Sequence, residues 1–314
     1  MKAQRFFTIF FAICLVSSIL AKLPVSYATV YSKPVVVLGM ADGYENQFTI
    51  CYPYLENKSL RPFFYPIADL NGSTFESQDT MNWTEINELI DEGYDLASHS
   101  ATHPHLASDG LSEAELIAET QGSQETFKNE TGVKPYFFIP PHGDINDTVI
   151  EYVNSSYAGM FYYGTSPFQY NATDLDIYAI PLEGLVYGEW KNGSNTDWLL
   201  GNLTQELDWL VGNGSSYATI FAWEQVFADI SDCREGVYGD VSEDTWKAAI
   251  DIIYDYWQVG ENITVKELNT LFSGVLLPLE IADITHDLIS IMCDFVILAV
   301  VLGMFSKISK IKIK

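Results

Sequence analysis

Residues 93–106, with the sequence GYDLASHSATHPHL, bring three of the chain's five histidines into seven residues. Residues 96–98 predict a short strand that ends directly before His99. His99 and His103 have the i, i+4 spacing that, on one turn of helix, points two imidazole rings at a common ion. The spacing alone fits two structural histidines equally well, so a metal site depends on what surrounds it.

Outward from this stretch, short apolar segments alternate with amphipathic ones. Residues 33–40 (KPVVVLGM) are typical of a buried strand, and Ser112 with Glu115 forms a capping box that predicts a helix. Further strands are predicted at residues 62–67, 136–139, 160–163, 177–180, 218–223 and near 263, and helices at 45–58, 83–92, 113–130, 147–153, 196–211 and 242–257. This alternation predicts an α/β domain with a parallel sheet, either closed as a barrel or doubly wound.

Chemically active side chains follow three of the predicted strands. Asp42 follows the first strand, His99 and His103 follow the short one, and the turn PPHG at residues 140–143 follows a third. In parallel α/β folds, functional residues lie on the loops at the carboxyl ends of strands. A His-His-Asp set leaves coordination positions open, as expected for a divalent metal that must also bind water and substrate.

The charge of the chain argues against nucleic-acid binding. The sequence has 314 residues with 16 Lys+Arg and 42 Asp+Glu, which gives a net charge of -26. Such a field repels a phosphate backbone. An acidic surface attracts a cationic polymer such as an amino-sugar glycan, but it also serves simply to keep a domain in solution. The length suits one large domain between the two ends.

Both ends carry targeting patterns. Residues 1–28 are basic and then apolar and end in Ser26-Tyr27-Ala28, which predicts a secretory signal peptide or an uncleaved anchor. Residues 286–305 predict a single transmembrane helix followed by a basic cytoplasmic tail at 306–314, although Asp294 within the apolar run leaves a buried helix as the alternative. Residues 29–285 are then an ectodomain on the extracellular face of the cell membrane.

Glycosylation motifs support that topology. Eleven of the 15 asparagines begin an Asn-x-Ser/Thr motif, and all eleven lie between the two hydrophobic ends: Asn57, Asn71, Asn82, Asn129, Asn146, Asn154, Asn171, Asn192, Asn202, Asn213 and Asn262. We expect an N-glycosylated, membrane-anchored protein. Cys51 and Cys233 are the only cysteine pair of the ectodomain, and an oxidising compartment allows a disulfide between them without requiring it.

Residues 93–106 and their surroundings resemble the polysaccharide deacetylases, the NodB-homology group of carbohydrate esterases. The stretch resembles the family's second motif, a strand leading to H-[ST]-x-x-H; VVVLGMADGY (35–44) resembles the first motif, and KPYFFIPPHGDIND (134–147) the third. The resemblance covers roughly residues 33–272. It implies the family's deformed (β/α) barrel and a divalent metal, most often zinc, held by Asp42, His99 and His103.

The same resemblance shows where the chain departs from the family pattern. The family's base aspartate falls on Ala41, its late-strand acid histidine falls near Ala222 or Trp223, and its third-motif arginine falls on Ile139. The family's tyrosine falls on His142. His142 and Asp144 are the candidate catalytic substitutes. Two further polar residues lie near these positions. His105 is on the loop that carries His99 and His103, and Glu224 follows the late strand.

Two functions remain open from the sequence. The first is a metal-dependent hydrolase that removes N-acetyl groups from amino-sugar glycans of the cell surface or cell wall. The second is a catalytically inactive surface protein that binds metal and glycan, because Ala41 cannot accept a proton and general acid-base groups each contribute about 10²- to 10⁴-fold to the rate. The oligomeric state is not predicted.

Overall fold

Strand β1 (Val35–Asp42, VVVLGMAD) is buried along its whole length in the computed structural model. β-Branched residues favour extended backbone, and a strand with no exposed face requires a layer on both sides. The first six residues of β1 pair in parallel with β9 (Tyr217–Trp223). On its other edge β1 pairs first with β12 (Thr264–Val265) and then, from Gly39 onward, with β2 (Phe63–Pro66). This strand is therefore the centre of the sheet.

The structure describes residues 31–163, 168–169, 176–177, 180–184, 192–234, 240–273 and 276. Those up to Ser273 belong to one compact unit; a second unit comprises residues 1–26 and 274–314, of which only residue 276 is described. The predicted signal peptide (1–28), transmembrane helix (286–305) and tail (306–314) lie outside the described residues. Within the described ranges no helix has both the length and the apolar character needed to cross a bilayer.

The remaining elements follow the predicted alternation. The other strands are β3 (Thr74–Phe75), β4 (Gln78–Asp79), β5 (Phe137–Phe138), β6 (Gly159–Tyr163), β7 (Phe168–Gln169), β8 (Ile180–Gly184), β10 (Gln225–Phe227) and β11 (Asp240–Ser242). The α-helices are α1 (Tyr52–Lys58), α2 (Trp83–Asp91), α3 (Glu113–Ile117), α4 (Ser123–Thr131), α5 (Asp147–Asn154), α6 (Thr196–Asn213), α7 (Glu243–Tyr254) and α8 (Leu268–Leu271).

The principal sheet is parallel through its centre. Its order is β12-β1-β9-β8-β6-β5, with β2 added to β1 and β7 added antiparallel to β9. Two isolated parallel bridges, Phe64 to Leu96 and Ser98 to Phe138, connect the short segment before His99 to β2 and to β5. In place of the strand predicted at residues 96–98, the structure has two isolated bridges, which still fix the position of His99.

The two faces of β1 pack against different layers. On one face Val36, Leu38 and Met40 join a core that includes Leu207 of α6 and Trp246 of α7. Helices thus cover this face of the sheet, as a parallel sheet requires.

An aromatic cluster covers the opposite face. Phe161 of β6 lies 6.0 Å from Phe63, 5.3 Å from Phe137 and 6.3 Å from Phe272 between ring centroids. A side chain at Gly39 of β1 would meet the ring of Phe63 at 2.8 Å, so the glycine leaves room for the cluster. These contacts join β2, β5 and β6 to the chain after α8.

Helix starts agree with the sequence, but three of the predicted helices contain or end in π-helical turns, at Gln47–Cys51, Ala118–Gly122 and Asp255–Val259. Ser112 and Glu115 form the predicted capping box at α3. The helix predicted over residues 113–130 is interrupted between α3 and α4 by a π-helical turn at Ala118–Gly122. Such a turn inserts one extra residue and rotates the side chains that follow, and it is frequent at functional sites.

Two strand assignments differ from the sequence prediction, and the disulfide question that the sequence left open is answered. The strand predicted at residues 177–180 lies at Ile180–Gly184, and the hairpin of β3 and β4 was not predicted, because two-residue strands carry too short an apolar pattern. Cys51 and Cys233 are both buried and Cys51 is a free thiol, so the described residues form no disulfide between them.

Replacing Phe161, which is fully buried, with alanine tests the aromatic cluster. We expect the Phe161→Ala variant to lose about 3 to 5 kcal/mol of unfolding free energy, because a large cavity opens among aromatic rings. Urea denaturation followed by circular dichroism measures the loss. Val259→Ala, at a residue 75% exposed, serves as the control and should change the free energy by less than about 0.5 kcal/mol. Equal stability of both variants would contradict the packing described.

Candidate metal centre

Asp42 lies at the end of β1 in a tight turn. Its φ is 65°, and that of Gly43 is 81°. A side chain at Gly43 would come within 2.5 Å of Pro66, so only glycine fits beside β2. The turn is closed by the amide of Gly43, which donates to the carbonyl of Ala41 at 2.7 Å. The carboxylate of Asp42 is thereby held in a buried position, with 4% of the residue exposed.

His99 and His103 are presented by a loop and not by the helical turn that their spacing suggested. Ser100 has φ 67° and His103 has φ 66°, and two left-handed residues are incompatible with an α-helix. The amide of His103 donates to the hydroxyl of Ser100 at 2.9 Å, which closes the loop. The expectation of a common ion survives because the loop folds both rings back toward Asp42.

Three donor atoms converge on one point. His99 Nε2 lies 3.2 Å from Asp42 Oδ1, His103 Nε2 lies 3.5 Å from the same oxygen, and the two Nε2 atoms are 3.2 Å apart. Tetrahedral zinc with bonds of about 2.0 to 2.1 Å places neighbouring ligand atoms about 3.3 Å apart. The spacing of the three donors therefore fits the face of such a coordination sphere.

The hydrogen bonding of His99 supports the same conclusion. Its Nδ1 lies 2.7 Å from the carbonyl oxygen of Ile139. Because a carbonyl oxygen only accepts, Nδ1 carries the proton, and in the neutral ring Nε2 presents a lone pair toward Asp42 and His103. With the neutral ring in this tautomer, the Nε2 lone pair and the Asp42 carboxylate are arranged to share a cation. Asp42, His99 and His103 are the group of the described residues that suits a metal ion.

Electrostatics favour the ligand protonation states. Burial and the neighbouring His99 lower the pKa of His103 to about 3, so its ring is neutral at physiological pH. Burial alone would raise the pKa of Asp42, but the adjacent rings of His99 and His103 lower it below its ordinary value. A neutral imidazole and an ionised carboxylate are the forms that bind metal.

His142 lies at the mouth of this cluster. It follows β5 in the turn Pro141–Gly143 with φ 58°, and its ring centroid is 4.5 Å from that of His103. The ring stacks on His105 at 3.9 Å with an interplanar angle of 18°. Burial and the charge of His105 lower the pKa of His142, which keeps the ring neutral and able to accept a proton.

Asp144 is engaged elsewhere. One oxygen accepts from the amides of Ala107 and Ser108 at 2.9 and 2.8 Å, and the other accepts from the hydroxyl of Ser108 at 2.9 Å. Burial would raise the pKa of Asp144, but these hydrogen bonds lower it. The contacts assign Asp144 to joining two loops, and His142 remains the better candidate for proton transfer.

The structure also locates the residues at which the chain departs from the family pattern. Ala41 and Trp223 are buried, and Trp223 lies opposite Met40 in the pairing of β1 with β9. Ile139 contributes its carbonyl to His99. The side chain of Gln47 donates both to the carbonyl of Ala41 and to that of Glu224, the latter at 2.7 Å, and so joins the turn after β1 to the end of β9.

Glu224 is the residue whose importance the sequence showed only weakly. It is hydrogen bonded to Asp42, and burial with the charges of Asp42 and Asp240 raises its pKa to about 10. Arg234 donates to Glu224 at 3.1 Å, pairs with Asp240 through two nitrogens at 2.7 and 2.9 Å, and also pairs with Glu76. The only signal in the sequence was the position of Glu224 directly after β9; nothing there indicated Arg234.

Comparison with known proteins finds similarity over the part of the chain that contains the candidate site. The model of the polysaccharide deacetylase family matches residues 29–159, which include Asp42, His99, His103 and His142. This part of the chain is similar to the polysaccharide deacetylase family. The expected resemblance is confirmed, and the family match ends before β8 and β9 begin.

Individual relatives agree with the family assignment. Chitin deacetylase 1 of Cryptococcus neoformans is 31% identical over 117 residues, 37% of this chain and 23% of the relative. Chitin deacetylase of Amylomyces rouxii is 27% identical over 110 residues, 34% of this chain and 23% of the relative. The match thus spans less than a quarter of each curated relative.

One solved structure supports the polysaccharide deacetylase fold over a longer range. The Xyl-CE4 domain of a multidomain xylanase from the hindgut metagenome of Trinervitermes trinervoides superposes with a TM-score of 0.51 at 16% identity. The superposition covers 77% of this chain and 90% of that one. The likeness concerns the α/β fold.

Removing one of the three donors tests the candidate metal centre. We expect the purified full chain to bind zinc, and His103→Ala to weaken binding more than about 100-fold, because loss of a ligand exceeds the 10- to 100-fold effect of an outer-shell change. Competition with a chromophoric chelator measures the affinity. His105→Ala is the matched control, since its ring lies outside the three converging donors and should leave the affinity unchanged. An unaltered affinity in His103→Ala would remove this histidine from the site.

Proposed function

We propose that the chain is a metal-dependent polysaccharide deacetylase-like hydrolase that cleaves the amide C–N bond of N-acetylated amino sugars in an extracellular or cell-wall glycan. The observation that carries the proposal is the convergence of Asp42, His99 and His103 within 3.2 to 3.5 Å, inside the region that matches the family. The names of the relatives suggest a chitin-like polymer as the first substrate to test.

Asp42, His99 and His103 would hold the metal, for which zinc is the best candidate. A divalent metal bound there supplies polarisation of the acetyl carbonyl and acidification of a bound water. The residues themselves provide two neutral imidazoles and one carboxylate. Open positions remain for water and substrate, as catalytic sites require.

His142 is proposed as the proton acceptor. Its ring lies beside His103 at the solvent-facing side of the cluster, and its lowered pKa leaves a lone pair free to accept. The stacked ring of His105 limits its rotation. Since Ala41 offers no carboxylate at the family's base position, His142 supplies the missing acceptor from the third motif.

Glu224 is proposed as the proton donor. It directly follows β9, the strand on which the family's acid histidine falls, and its side chain contacts Asp42. Arg234 orients its carboxyl group through a contact of 3.1 Å. The proposed acid and base then come from different elements, Glu224 from the end of β9 and His142 from the turn after β5, so each can act on its own atom.

These roles balance the reaction. The oxygen of water forms a bond to the acetyl carbon while His142 takes one proton from the water. The C–N bond then breaks, and the Glu224 carboxyl gives its proton to the departing nitrogen. The products are acetate and a free amino sugar, and proton exchange with solvent returns His142 and Glu224 to their starting states.

The proposal also includes the fold and location expected from the sequence. Each segment in the series β1, β2, residues 95–99, β5, β6, β8 and β9 pairs with the next one. The bridges at Leu96 and Ser98 provide the links of residues 95–99 to β2 and β5, and this series supports a deformed (β/α) barrel. The ten glycosylation-motif asparagines among the described residues are all at least partly exposed, which supports an N-glycosylated ectodomain. Secretion by residues 1–28 and anchoring by residues 286–305 complete this proposal.

A second function is favoured by one specific observation. Ala41 replaces the family's base, and no histidine stands at Ala222 or Trp223. A chain that keeps the metal ligands but lacks both proton-transfer groups would bind metal and glycan without hydrolysis. The same experiment separates the two functions.

Acetate release from N-acetylglucosamine oligomers tests the proposed function. We expect the full chain with zinc to release acetate and His99→Ala to lose the activity. Release that persists in His99→Ala would contradict a metal-centred reaction. No acetate release by the native chain, together with release by Ala41→Asp, would instead support the second function, a catalytically inactive binding protein.

The role of Glu224 is tested by Glu224→Gln, which keeps the size and removes the acid. We expect a loss of kcat of about 10²- to 10⁴-fold with zinc affinity unchanged within a few-fold. Glu88→Gln, on an exposed position of α2, is the control and should behave as the native chain. Native kcat in Glu224→Gln would show that another group protonates the amine.

A further inference from the structure

We infer that Glu119 is a positioning residue for the metal centre, because its carboxylate holds the loop between His99 and His103 in the conformation that brings both rings to Asp42. The inference rests on the proposed metal site and not on catalysis. Glu119 lies in the π-helical turn Ala118–Gly122, outside the family's metal motif.

The loop needs an external support. Ser100 and His103 both have positive φ, 67° and 66°. A left-handed conformation costs roughly 1 to 2 kcal/mol for a residue with a side chain. Two such residues within one loop persist only when surrounding contacts over-determine them.

Glu119 supplies that support from one side. Its Oε2 accepts from the amides of Ala101 and Thr102 at 3.0 and 2.9 Å, and its Oε1 accepts from the hydroxyl of Thr102 at 2.6 Å. These three donors lie between the two histidines. Hydrogen bonds to an ionised acceptor are roughly twice as strong as neutral ones, so they form a specific clamp.

The chain after β2 holds the loop from the other side. The amides of Ala68 and Asp69 donate to the carbonyls of Ser100 and Ala101 at 3.1 and 2.9 Å. Ala101 is thereby fixed through both its amide and its carbonyl. The loop is clamped between two segments, and Glu119 provides the only side chain among the described residues that accepts from its amides at 101 and 102.

The placement of Glu119 indicates that this contact is specific. The residue is 8% exposed, and no ion pair with a basic group is formed by it in the described part of the chain. Burial of a carboxylate is unfavourable unless hydrogen bonds replace water. Glu119 lies within the π-helical turn, while Leu116, in the preceding helix α3, packs with Phe138 in the core.

Zinc affinity of the folded full chain is the measurement that separates positioning from simple stability. We expect Glu119→Gln to weaken zinc binding about 10- to 100-fold, since a neutral amide oxygen binds the two loop amides more weakly than a carboxylate does. Thr102→Ala removes one of the three bonds and should weaken binding by less. Glu125→Gln, an exposed residue of α4, is the matched control and should bind as the native chain.

The double variant supplies the second readout. If Glu119 acts on the site through the loop, Glu119→Gln combined with Thr102→Ala should weaken binding less than the two single effects multiplied, because they share one hydrogen bond. A folded Glu119→Gln with native zinc affinity overturns the inference. If Glu119→Gln does not fold, native affinity in Thr102→Ala overturns it.

Failure of this inference differs from failure of the proposed function. Native zinc affinity in Glu119→Gln, with acetate release intact, removes only the role of Glu119. Weakened zinc affinity in Glu119→Gln supports the positioning role even where the native chain releases no acetate. A native chain that binds no zinc overturns the metal site and this inference together.

Discussion

The hydrogen bond from His99 Nδ1 to the carbonyl oxygen of Ile139 determines the tautomer of His99, because a carbonyl oxygen can only accept. The rest of the site depends on that constraint. Ile139 accepts from Nδ1, so the other ring nitrogen presents its lone pair to Asp42 and His103. The carbonyl is in place because the amide of Ile139 donates to Ser98, which bridges to β5 on one side of the segment before His99. One backbone register thus fixes the position, the tautomer and the direction of the first histidine.

The site combines a part shared with the family and a part particular to this chain. Asp42, His99, His103 and His142 all lie within residues 29–159, which match the family model. Glu224 and Arg234 come from the part of the chain after the family match. The sheet joins the two parts through the pairing of β1 with β9, so Glu224 reaches Asp42 by strand register and without any local motif. The three candidate ligands therefore meet polar groups that no neighbouring motif announces.

Local patterns predicted most of the elements and the ligand set. The apolar run of β1, the Ser112 capping box and the spacing of His99 and His103 are signals that need only neighbouring residues. The hairpin of β3 and β4 and the π-helical turn were missed, because neither changes hydrophobic periodicity enough to be seen. Arg234 was missed for a different reason: its partners Glu76, Glu224 and Asp240 lie on three separate loops or strands, and only the assembled fold brings their charges together.

The divided edge of β1 also orders events during synthesis of the chain. The carboxyl end of β1 pairs with β2, the next strand to be synthesised. The opposite edge of β1 remains unpaired until β9 has been made, and its amino end until β12 has been made. A nascent chain that has reached His142 already holds all three donor residues, but it presents an uncovered apolar strand edge until β9 has been synthesised. Long-range parallel pairing of this kind is slow and prone to aggregation. An unfinished chain would therefore associate with its neighbours through this edge until β9 covers it.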